Sequence, residues 1–68
     1  MKTIREGIIT NGDYENWNIR ICDDRDGETG GYYIYIADGG GLGFDYWFEN
    51  EKFLYAQLDD FSVNWSGS

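Results

Sequence analysis

The chain has no histidine and no proline, a single cysteine, and only 5 basic residues among 68. Each shortage removes a class of function. Without histidine, neither a Ser-His-Asp nor a Cys-His arrangement can assemble, and transition-metal sites lose their commonest ligand. With one thiol, Cys22, no intrachain disulfide can form, whereas small secreted domains are often stapled by several. The carboxylates of Asp23 and Asp24 beside it disfavour a reactive thiolate, so Cys22 reads as a small residue on a strand. The lack of Lys and Arg argues against nucleic-acid binding, which rests on neutralising phosphates, and against an anionic membrane surface. No apolar run approaches the roughly 18–20 residues of a membrane span. The opening "MKTIREGIIT" lacks the apolar stretch of a signal peptide, because Arg5, Glu6 and Gly7 interrupt it. The expected location is cytoplasmic.

What is present is acid and aromatic. The 13 Asp and Glu residues set a formal charge of −8. A field of that size steers a basic partner, although solubility alone would also account for it. At 41% hydrophobic and 19% aromatic the chain is too rich in core-forming residues to be a disordered acidic tail. Residues 1–68 make one domain, which at this size buries only about 60% of its unfolded surface. So thin a core leaves little scaffold for a catalytic pocket and makes a partner or a homo-oligomer a natural source of added stability. No enzymatic activity is expected.

In the absence of proline, glycine and Asn/Asp punctuate the chain. Residues 3–10, with Ile4, Ile8 and Ile9, suggest a strand interrupted by Gly7. Asn11-Gly12 is a strong hairpin signal. In "NWNIRIC", Trp17, Ile19 and Ile21 alternate with Asn18, Arg20 and Cys22, which predicts a strand with one buried and one wet face. "YYIYIAD" is a further strand: if Ile34 and Ile36 face the core, Tyr32 joins them, and Tyr33, Tyr35 and Ala37 face away. "FDYWF" alternates too, with Phe44, Tyr46 and Phe48 on one face and Asp45, Trp47 and Glu49 on the other. From Asn50 the period changes. Leu54, Leu58 and Phe61 form one helical stripe, with Asn50 as N-cap and Glu51 in the first turn, and an end near Asp60. "FSVNW" closes as a short strand with Val63 and Trp65 on one side. The order β-β-β-β-α-β predicts an α+β fold, a small, mostly antiparallel sheet with one helix packed on one face.

Two stretches imitate ligand motifs. Gly39, Gly40, Gly41 and Gly43 suggest a dinucleotide loop, but the spacing fails at Phe44, a strand follows where a helix N-terminus is needed, and Asp38 and Asp45 would repel phosphate. A flexible turn with positive-φ residues is the better reading. "CDDRDGETG" resembles a calcium loop if Gly27 takes the sixth position, with Asp24 and Asp26 as ligands. The first and twelfth positions are then Cys22 and Tyr33, which cannot serve. Among so many acids some close pair is inevitable, so paired carboxylates carry no specific sign of acid–base catalysis. No catalytic residue, cofactor or metal is expected.

What remains is the union of acidity and aromatic surface. One helix covers one face of a sheet, and the other must be solvated or bound. On the alternation above, that other face carries Tyr33, Tyr35 and Trp47, rigid side chains that bring large area to interfaces. Asp38, Asp45 and Glu49 would frame them, and Asp23, Asp24, Asp26 and Glu28 would add charge from one loop. The succession W-x-I-x-I, G-G-Y-Y-I-Y-I, F-D-Y-W-F-E-N-E and V-x-W resembles small acidic bacterial immunity proteins of polymorphic and contact-dependent toxin systems. That resemblance implies a non-enzymatic inhibitor that binds a basic partner, such as a nuclease-type toxin domain, and not nucleic acid or a membrane. The families concerned share no binding motif, so no residue role carries over. A phage-encoded DNA mimic of the anti-restriction or anti-CRISPR kind has the same outline, and a small structural or oligomerisation module is the reading from another class.

Overall fold

A computed structural model describes residues 2–27 and 30–66. The elements are β1 (Lys2–Ile9), β2 (Asn18–Asp23), β3 (Tyr32–Ala37), β4 (Gly43–Phe48), α1 (Glu51–Leu58) and β5 (Val63–Ser66). They form the expected α+β fold, a five-stranded sheet in the order β4-β3-β2-β1-β5 with one helix. Every pairing is antiparallel.

The alternation in the sequence becomes the two faces of this sheet. Register places Ile19 beside Ile36, and Ile21 beside Ile34. These four, with Ile9, Tyr32 and Leu54 of the helix, are the buried core. Phe48, Leu58, Phe61, Val63 and Trp65 pack around it. Each fully buried aliphatic side chain contributes about 1.5–3 kcal/mol of transfer free energy, so this one face holds the chain together.

Asn50 begins α1 as predicted. It is extended, and its Oδ1 accepts a hydrogen bond from the backbone N–H of Phe53 at 3.2 Å. The helix stops at Leu58, two residues before the expected end. Turn bonds from Asp60 to Gln57 and from Phe61 to Leu58 then carry Phe61 back to the core.

The β1–β2 hairpin forms, but Asn11-Gly12 is not a two-residue turn between the strands. Residues 10–17 make a wider loop, closed where the Ile9 and Asn16 N–H groups donate to Trp17 and Ile9 carbonyls. Gly12 and Asn16 take positive φ in this loop. The extra length brings Tyr14 and Trp17 over the core side, where their rings meet at 4.9 Å and Trp17 stacks on Phe44 at 6.0 Å. Gly7 does not interrupt β1. It is paired to both neighbours, and the missing side chain lets β5 approach, since a Cβ there would lie 2.7 Å from the Asn64 carbonyl oxygen and 2.8 Å from Val63 Cγ1.

Candidate functional site

The face opposite α1 can be written as rungs across the strands. The middle rung runs Ser66, Glu6, Arg20, Tyr35, Asp45. On one side of it lie Thr3, Cys22, Tyr33 and Trp47, and on the other Asn64, Ile8, Asn18, Ala37 and Gly43. Tyr33, Tyr35, Asp45 and Trp47 are thus brought together on the side the helix leaves uncovered. Tyr33 and Tyr35 are half-buried and stack at 5.5 Å, inclined by only 17°. Trp47 is 46% exposed, and its indole N–H donates to the Gly30 carbonyl oxygen at 2.9 Å. That bond ties the β2–β3 loop to the aromatic face and restrains a ring that two rotors would otherwise let swing.

The carboxylate of Asp45 lies in this face beside Tyr35. Burial, then the nearby Cys22, Tyr33, Asp45 and Asp24, raise the pKa of the Tyr35 hydroxyl above its ordinary value. The nearest cation, Arg20, is engaged by Glu6 at 3.4 Å. That pair is largely solvated and contributes little to stability, but it screens one end of the rung and leaves Asp45 at the other.

The remaining predicted acids are dispersed. Asp23 faces the core side in register with Tyr32, where the Arg25 guanidinium grips its carboxylate at 2.7 Å. The Arg25 side chain, followed by the Arg25 backbone N–H, lowers the Asp23 pKa. The same guanidinium lies 5.6 Å from the Tyr32 ring, and the Tyr32 hydroxyl donates to Glu51 Oε1 at 2.8 Å. Asp23 therefore belongs to a strut between the β2–β3 loop and the helix start. Asp38 caps its own turn, accepting from the N–H groups of Gly40 at 2.6 Å and Leu42 at 3.2 Å. Asp24 is half-buried, and Asp26 and Glu49 are exposed on the turns that flank the face. Glu28 lies outside the described residues.

Two participants escaped the sequence reading. Glu6 and Arg20 meet only because β1 and β2 pair, and each is unremarkable in its own strand. Cys22 was expected on the wet face, and its register does put it there. It is nonetheless buried, with Thr3 Oγ1 3.8 Å from its sulfur. Cross-strand neighbours cover it, which a single-strand pattern does not reveal. Comparison of the chain with family models, curated proteins and solved structures returns no match.

Proposed function

We propose that this chain is a non-enzymatic binding protein that neutralises a basic protein partner, of which a nuclease-type toxin domain is the best candidate, by covering it with the open sheet face. The observation that carries the reading is the gathering of Tyr33, Tyr35 and Trp47 around Asp45 on the one face that no helix covers. Rigid aromatics of this kind are the common anchors of interfaces, and carboxylates beside them match the Lys and Arg that a nuclease uses to hold phosphate. The formal charge of −8 would speed encounter and make it salt-sensitive. Tyr33, Tyr35 and Trp47 supply area, Asp45 a direct ion pair, and Asp24, Asp26 and Glu49 the surrounding field.

The test is co-expression with the product of the reading frame directly upstream. Protection of the host by the wild-type chain, lost in a Tyr35→Ala, Trp47→Ala double variant that still folds, is the expected result. No complex with that product and no protection would count against the reading.

A further inference from the structure

The two edges of the sheet are unlike. On one side, β5 has four residues, its Val63 and Trp65 are half-buried, and the Arg5 guanidinium covers the Trp65 ring at 4.1 Å. On the other, β4 offers six residues, "GFDYWF", of which Gly43 to Trp47 are all exposed. Phe44 is 47% and Trp47 46% exposed. Long exposed apolar edges invite strand addition, and proteins usually blunt them with charged side chains, lysine above all, with proline, a bulge or a short strand; of these β4 has only the single charge of Asp45. Across its six pairs with β3 the β4 register is unbroken, and it contains no lysine or proline.

The bonding phase of this edge follows from two turns. The Asp38 N–H donates to the Leu42 carbonyl at 3.1 Å, which extends the β3–β4 ladder. Hydrogen-bonded pairs alternate in antiparallel ladders, so Phe44, Tyr46 and Phe48 bond to β3. The Asp24 N–H donates to the Gly31 carbonyl at 2.9 Å and sets the same phase from the β2 side. Gly43, Asp45 and Trp47 are left with their N–H and C=O groups pointing outward.

We propose that β4 pairs antiparallel with β4 of a second copy of this chain, about a two-fold axis through Tyr46. In that register Asp45 and Trp47 of the second copy exchange both main-chain bonds, and symmetry repeats the pair. On the core side Phe44 meets Phe48 of the second copy, and Tyr46 meets its own equivalent. On the open side each Asp45 lies beside an indole. Moving the axis to Asp45 would oppose two carboxylates, which is destabilising. A one-residue slip would oppose backbone groups already bonded to β3. Two-fold axes through Phe44 or Phe48 are in phase too but overlap less of the strand, so the Tyr46 axis gives β4 its longest pairing with itself without opposed carboxylates, and this self-complementarity points to a second copy as the occupant. The contact is small beside the roughly 800 Å² per partner of a standard interface, so the dimer is weak and reversible. It leaves both open faces uncovered and lays them edge to edge, so it does not depend on the function proposed above.

Charge supplies the discriminating test. Two copies of charge −8 repel, so added salt should strengthen the dimer, whereas it should weaken a complex with a basic partner. Sedimentation of the wild-type chain from about 1 μM to about 1 mM, the range in which small interfaces associate, should show a dimer that grows with protein and with salt. Asp45→Pro removes an outward N–H without touching the β3 ladder and should abolish the dimer while circular dichroism is unchanged. On the wild-type chain itself, the amides of Asp45 and Trp47 should exchange more slowly at the concentrated end of the series. A monomer throughout at high salt, or a dimer in which those two amides exchange no more slowly, would overturn the proposal.

Discussion

The indole N–H of Trp47 donates to the Gly30 carbonyl oxygen at 2.9 Å, joining the edge strand to the loop between β2 and β3. The next residue, Gly31, packs against the same indole. Its φ is +79, and a Cβ there would run into the Phe48 carbonyl oxygen and lie 2.8 Å from Trp47 Nε1. Trp47→Phe keeps the aromatic area and loses the donor, which should cost about 0.5–1.5 kcal/mol. Gly31→Ala adds the left-handed penalty of roughly 1–2 kcal/mol to a backbone clash, so it should cost more than Trp47→Phe. Urea unfolding of both variants checks the order.

Gly7 and Gly39 make a second comparison. Alanine at Gly7 must displace the Asn64 carbonyl and Val63, so overpacking of about 1–3 kcal/mol is expected, with β5 loosened first. Gly39 has φ of +82 and no atom within 4 Å of an added Cβ. Alanine there should meet backbone strain alone, roughly 1–2 kcal/mol, and amide exchange in β5 should not change.

The pH profile of stability should fall at both ends. Arg25 holds the Asp23 carboxyl below its ordinary 3.8, so the fold favours the ionised form. That contribution is present above about pH 4 and is lost as pH falls through the lowered value. Burial, with the Glu51 acceptor, holds the Tyr32 hydroxyl above its ordinary 10.0, so the fold favours the protonated form. That contribution is present below pH 10 and is lost as pH rises through the raised value. Tyr35 and Tyr46 act in the same direction, chiefly through burial. Thermal unfolding of Asp23→Asn should show a flatter acid limb, and of Tyr32→Phe a flatter alkaline one.

Much of the fold was legible because its faces follow from period-two alternation. Ile34 and Ile36 against Tyr33 and Tyr35 separate core from open face without reference to any other strand, and the change of period at Asn50 marks the helix and its cap. What depended on pairing was not legible. The closing strand crosses to β1, and only that crossing explains Gly7. Arg20 finds Glu6 across a register no local pattern encodes. The acids were the least readable: Asp23 and Asp38 are occupied by local bonds to Arg25 and to the glycine turn. The Asp-Gly-Gly-Gly run could have signalled the second of these, since Asp side chains cap their own turns.

The central claim, that the open face is the binding surface, is tested most directly by an amide chemical-shift titration of the labelled chain with the partner identified by co-expression, or with a basic nuclease-type domain that it neutralises. Shifts should concentrate on Arg20, Tyr33, Tyr35, Asp45 and Trp47 and spare Phe53 and Tyr55 on the exposed side of α1. Tyr35→Ala or Trp47→Ala should weaken binding by about 2 kcal/mol, roughly 30-fold, as truncated hot spots do. Shifts centred on Phe53 and Tyr55, with the sheet residues still, would contradict it.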